Sequence, residues 1–200
     1  APKVEFDFNE KNEVCYGKAF DNRIGCFCII ETLKALSEIS DLNVDVVGAF
    51  AAQEEVGTRG AHVTSQIVKP DLAIVFEGSP ADDLYYSKNI SQCALKKGTQ
   101  IRNLDQGYIA NPLFIRHAEK VAEKHSIKYQ NAVRRGGSTN AAKISLTYKA
   151  VPVLVLGIPS RYVHSHYNYC AKEDIEASVS LAIEVIKSLT EEVINNILRK

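Results

Sequence analysis

Residues 151–158, VPVLVLGI, are the most apolar run in the chain. A run this short, without polar alternation, reads as a strand buried on both faces, and a sheet covered on both sides is the architecture that supplies such a place. Other segments fit the same plan. Val44–Ala52 (VDVVGAFAA) reads as a second buried strand. Leu72–Phe76 (LAIVF) reads as a third, opened by the turn-prone Lys69-Pro70-Asp71. Thr99–Asn103 (TQIRN) alternates polar with apolar residues, as a half-exposed strand does. Helical patterns fall between these runs. Apolar residues recur at 24, 27, 30, 33, 36 and 39 over Arg23–Ile39. Asn111-Pro112 is a strong helix start, with Asn as cap and Pro in the first turn, and that helix reaches about His125. A shorter helix is expected over Ser138–Leu146. One long helix is expected from about Lys172, with Ile175, Val179, Ile183, Ile186, Leu189, Val193 and Ile197 on one stripe. Strands alternating with helices predict an α/β fold, and in such sheets functional sites form at strand ends.

Composition narrows the function. The 200 residues suit one domain with a sizeable core. Lys+Arg and Asp+Glu are each 24, a balance that argues against a nucleic-acid or membrane-surface partner. No apolar run approaches the ~20 residues of a membrane span, and the polar start APKVEFDFNE is not a secretory signal. The five cysteines (15, 26, 28, 93 and 170) include no C-x-x-C pair. They read as reduced core residues of a cytoplasmic protein.

The chemistry lies just after the strands. Asp21 follows Val14–Phe20, Glu54 and Glu55 follow Val44–Ala52, Glu77 follows Leu72–Phe76, and His164 and His166 follow Val151–Ile158. Each has an ordinary reading: Asp21 as the cap of the helix at 23, Glu54 and Glu55 as solvated loop residues, Glu77 as a turn before Gly78, the histidines as structural hydrogen-bonding groups. His62, His117 and His125 are read that way. Acids gathered at the mouth of a sheet are unfavourable together unless a cation collects them. A mixture of Asp, Glu and His is what Zn²⁺ or Co²⁺ takes. Adjacent glutamates point in different directions, so one can bind metal while the other acts as general base toward a water. The residues therefore suggest metal-assisted hydrolysis.

The stretches GKAFDNRIG (17–25), AAQEEVGTRGA (51–61), DLAIVFEG (71–78), KKGTQIRNLDQGYIANP (96–112), GGSTNAAKI (136–144) and IPSRYVHS (158–165) together resemble the M42 family of metalloaminopeptidases. The resemblance implies a three-layer α/β/α fold with a central mixed sheet. It implies a co-catalytic pair of divalent metals, a peptide substrate with a free N-terminus and a homo-oligomer, a dodecamer in the family. By this resemblance Asp21 bridges both metals, Glu54 is the general base, and Glu55, Glu77 and His164 are metal ligands, with His166 the fallback for His164. Asp21 is then a ligand first and a helix cap at most second. The resemblance also implies an Asp21 peptide bond in the cis form, although Asn22 stands where relatives have a second Asp.

The family takes one further histidine from an upstream H-x-D motif that this chain lacks. Residues 1–18 resemble the exit from an inserted β-rich oligomerisation domain, with residues 19–200 as the catalytic domain. Ala1 is accordingly not expected to be the natural start, and these residues alone are expected to bind metal poorly and to be inactive. Asn140 stands where many relatives have Asp, and the Gly136–Asn140 loop receives no role. The rival readings are a related two-metal amidohydrolase, carboxypeptidase or dipeptidase, and a non-catalytic homologue. A glycosidase ranks low, because neighbouring Glu54 and Glu55 diverge instead of flanking one bond.

Overall fold

A computed structural model describes residues 5–199. The elements run β1 (Asp7–Asn9), β2 (Val14–Gly17), α1 (Phe20–Ser37), α2 (Arg59–Val68), β3 (Ala73–Pro80), β4 (Thr99–Asp105), β5 (Tyr108–Ile109), α3 (Pro112–Lys124), β6 (Tyr129–Val133), α4 (Ala141–Ile144), β7 (Val153–Arg161), β8 (Asn168–Ala171), α5 (Lys172–Lys187) and α6 (Glu191–Leu198). All eight strands join one mixed sheet flanked by helices. The first four residues of the expected 1–18 segment lie outside the described residues.

The apolar run at 151–158 becomes β7, the spine of the sheet. Val153–Ser160 is buried at every position, so both faces are covered. Burying each large aliphatic side chain here contributes roughly 1.5–3 kcal/mol. β3 runs parallel to β7 from Ala73↔Val153 to Pro80↔Ser160. On its other edge β7 pairs antiparallel with β4 through Val155–Gly157 and with β8 through Ser160–Arg161. The C-terminal ends of β3 and β7 therefore lie side by side. β2 pairs with β8 in a register that sets Gly17 opposite Asn168, which brings the segment leading into α1 to the same edge.

Several sequence expectations are corrected. Val44–Ala52 joins no ladder among the described residues. It packs beside α1, where a Cβ on Gly48 would lie 2.4 Å from Leu33 Cδ1, and leaves Val47 and Phe50 more than half exposed. Apolar content gives a segment a reason to be buried but does not supply a partner strand. Thr99–Asn103 is not half-exposed. It belongs to a strand between β6 and β7 whose Thr99, Gln100 and Arg102 are buried, with Thr99 Oγ1 donating to Gly157 O and Arg102 donating to Ser79 and Asp105 inside the protein. The last stripe is two helices, broken where the Thr190 side chain caps α6 by accepting from Val193 N. The helix expected over Ser138–Leu146 is one turn, Ala141–Ile144. Not all cysteines are core: Cys26 is exposed and Cys15 half-buried. Glu77 lies within β3, which is longer than the apolar run suggested.

Asp174, in the first turn of α5, anchors the loop into β4. It is fully buried and accepts hydrogen bonds from Lys96 N and Gly98 N, both at 2.7 Å. Burial outweighs these bonds and pushes its carboxyl from 3.8 up to about 6. Between those values the folded state holds a proton that the unfolded chain has lost, so this group makes stability fall as pH rises through the window and leaves it level above. Denaturant unfolding across pH 3.5–7 is expected to show Asp174→Asn with a smaller fall than wild type, the difference being up to about 3 kcal/mol, even though the variant is less stable overall. Parallel pH curves would contradict this.

Candidate metal centre

The junction between β2 and α1 resolves the ambiguity at Asp21. Ala19 adopts a left-handed backbone (φ 53°), and Asp21 and Asn22 have non-helical dihedrals, so the helical path starts at Arg23. The Asp21–Asn22 peptide bond is cis. Asn22 does the capping: its Oδ1 accepts from Gly25 N at 3.0 Å, satisfying one of the free donors of the first turn. Its Nδ2 donates to Phe76 O at 2.8 Å and ties the junction to β3. The Asp21 carboxylate is thereby released from capping. Gly78 makes the approach possible, since a Cβ there would lie 2.8 Å from Asp21 Cα.

Asn168, buried at the start of β8, couples this junction to the histidine loop. Its Oδ1 accepts from Phe20 N at 2.9 Å and its Nδ2 donates to Tyr162 O at 2.6 Å. Ser165 Oγ also donates to Tyr162 O. The loop holds His164 at φ 66°. Glu54 and Glu55 enter from the turn before α2, where Gly57 N and Thr58 N both donate to Glu54 O.

These supports bring three groups together. His164 Nε2 lies 3.1 Å from Asp21 Oδ2 and 3.4 Å from Glu55 Oε2. One ligand atom from each residue falls within 4.8 Å of the others. Atoms bound to one ion at about 2.0–2.2 Å stand at such spacings. Glu77 is buried next to this trio with its Oε2 unpartnered among the described residues. An orphaned carboxylate oxygen beside two acids and an imidazole is a donor set that a divalent cation satisfies. His166 lines the same cleft but packs its ring, tilted by 60°, against Tyr167 outside the trio. The other histidines make ordinary contacts, His117 with Ser188, His125 with Glu184 and His62 with Gln66.

Two of the acids, Glu54 and Glu77, are raised. Burial first, then the Asp21 and Glu54 charges, push Glu77 well above the usual carboxylate range. Burial, followed by the charges of Glu55 and Asp21, raises Glu54 to about 6. Arg102 opposes both shifts. Its guanidinium is buried behind the site, with Nη2 donating to Ser79 Oγ at 2.8 Å and Nη1 to Asp105 at 3.4 Å. Sequence reasoning gave no role to Arg102, Asn22 as cap, or Asn168. The polar alternation of Thr99–Asn103 was the available sign of Arg102, but it resembles solvent exposure.

A sequence profile of the M42 glutamyl aminopeptidase family matches residues 2–181. The chain belongs to this family. It is 32% identical over 191 residues to the glutamyl aminopeptidase of Lactococcus lactis subsp. cremoris, covering 96% of this chain and 52% of that protein. Among solved structures it is similar to a TET aminopeptidase from a marine sediment archaeon, with TM-score 0.94 and 32% identity over 98% of this chain and 56% of that one. It is also similar to the Pyrococcus horikoshii TET1 peptidase, which can assemble into a tetrahedron or a large octahedral shell, with TM-score 0.82 and 27% identity over 94% of this chain and 54% of that one. The chain thus spans about half the length of the M42 relatives it matches.

Asn22→Ala removes a cap and a tie to β3, and a cost of about 1–3 kcal/mol is expected in denaturant unfolding. Gly78→Ala forces Asp21 away from β3 and is expected to cost a similar amount. Wild-type stability in both variants would contradict this account of the junction.

Proposed function

We propose that the protein is a metal-dependent aminopeptidase that removes the N-terminal residue of peptides. The observation that carries this reading is the convergence of Asp21, Glu55 and His164 beside a glutamate raised toward neutrality, Glu54. Asp21, Glu55, Glu77 and His164 would hold the two divalent ions, Zn²⁺ or Co²⁺, that the family resemblance implies. Such ions polarise a peptide carbonyl and make a water acidic enough to attack it near neutral pH. Glu54 accepts the proton of the attacking water and returns it to the leaving amine, the work of a base whose pKa lies near the operating pH. Asn22 and Asn168 hold the Asp21 and His164 supports in register, and Arg102 limits the mutual repulsion of the acids.

The same reading extends to the setting. The family membership and the assembly of the P. horikoshii relative support a homo-oligomer. The five free cysteines support a cytoplasmic location, and among the described residues no helix is long and apolar enough to cross a membrane. Residues 1–18 belong in this reading to the end of an inserted β-rich domain, and their described strand β2 pairs with β8 of the sheet.

Assays of the full-length protein on Leu- and Glu-4-nitroanilide, with metal content measured, test the base. Glu54→Gln is expected to retain metal and lose roughly 10²–10⁴ in kcat. An N-acetylated substrate is expected to resist cleavage. An active Glu54→Gln protein removes the proposed base, and equal cleavage of the acetylated substrate removes the aminopeptidase reading in favour of a related amidohydrolase.

A further inference from the structure

Cys15 on β2 and Cys170 on β8 stand directly opposite each other in an antiparallel ladder. Two positions further along, Lys172 N donates to Glu13 O at 2.9 Å, so the alternation of the ladder makes Cys15–Cys170 a hydrogen-bonded pair. Such a pair holds its Cα atoms about 5.5 Å apart, within the span of a disulfide. Opposite residues send their side chains to the same face of a sheet. On that face Ser160 Oγ lies 2.8 Å from Cys170 Sγ. Both thiols are free.

The two thiols differ in access. Cys170 is fully buried, and burial pushes it up to about 12. Cys15 is half-buried; burial raises it too, but the Lys172 ammonium opposes the rise. An oxidant in water therefore reaches Cys15 first, with Cys170 behind it as a resolving thiol. Facing Cβ atoms stand about 4.5–5.5 Å apart, and a disulfide draws them to about 3.8 Å. The closing movement falls on β2, which has only the three-residue β1 on its outer side.

We propose that Cys15 and Cys170 are a redox-sensitive pair that closes into a cross-strand disulfide in the presence of a hydroperoxide. The Cys15 thiolate attacks one peroxide oxygen. The S–O bond forms, the O–O bond breaks, and the other oxygen leaves as water with the Cys15 proton. The Cys170 sulfur then attacks the Cys15 sulfur. The S–S bond forms, the S–O bond breaks, and the hydroxyl leaves as a second water with the Cys170 proton. Two thiols lose two electrons, and one hydrogen peroxide becomes two waters. The link lies beside the segment that leads to Asp21: Gly17 pairs with Asn168, whose Oδ1 accepts from Phe20 N. It staples β2 to β8 there and closes a loop through most of the chain. The inference stands on the ladder and is independent of the aminopeptidase reading.

The test treats the protein with hydrogen peroxide near pH 8.5, the ordinary thiol pKa, blocks remaining thiols with N-ethylmaleimide under denaturation, and maps unreduced peptides by mass spectrometry. Exposed Cys26 is the internal record that peroxide has acted. A Cys15–Cys170 cross-link is expected, removed by dithiothreitol and absent in Cys15→Ser. Oxidised wild type is expected to melt roughly 5–15 °C above its reduced form, through the chain entropy a long closed loop removes, and Cys15→Ser and Cys15→Ala are expected to show no such rise. Cys15 and Cys170 both recovered as free thiols while Cys26 is oxidised would overturn the pair. So would Cys15 carried on to the sulfinic acid with Cys170 free, or a Cys170 link to neighbouring Cys28 instead. A Cys15–Cys170 link without a rise in Tm would overturn the staple.

Discussion

Four carboxylates, Asp21, Glu54, Glu55 and Glu77, crowd around one imidazole at the edge of the sheet. Like charges this close cannot all stay ionised without a countercharge, and burial makes the problem worse for Glu77. The surrounding structure works to keep them together despite that cost. Gly78 lets Asp21 rest against β3. Asn22 caps α1 so that Asp21 need not. Asn168 links the loops that carry Asp21 and His164. Arg102 sits behind the acids as a buried cation. None of these devices would be useful to a site that only had to be solvated.

Arg102 alone does not balance the group. It lowers Glu54 and Glu77, yet both remain raised. Among the described residues Glu77 keeps one oxygen unpartnered, and buried Gln100 has both polar side-chain atoms unpartnered. Buried polar groups left in this state are expensive. A cation in front of the acids, complementing the one behind, removes the largest part of that cost.

Much of this was legible in the sequence, for identifiable reasons. The apolar run at 151–158 announced the central strand because burial on both faces leaves no polar alternation. The acids and His164 were visible as polar residues following apolar runs, and the motif order gave the family. What failed was partnership. Val44–Ala52 looked like a strand but has no described neighbour to pair with, since periodicity describes one segment and a ladder needs two. Polar side chains that find partners in the interior, as Thr99 and Arg102 do, look the same in sequence as polar side chains facing water. The division of labour between Asp21 and Asn22 was hidden because either residue can cap a helix, and only the backbone dihedrals decide which does.

Carboxylates assembled for a divalent cation give up protons when the cation binds, and displaced protons measure that assembly directly. Bound metal must expel the protons that raised Glu54 and Glu77 retain. Calorimetric titration of the chelator-treated protein with Zn²⁺ or Co²⁺ near pH 5.5, in buffers of differing ionisation enthalpy, is predicted to show binding with release of about one proton or more per site. The release should diminish in Glu77→Gln. Absence of binding, or binding with no proton release, would contradict the claim.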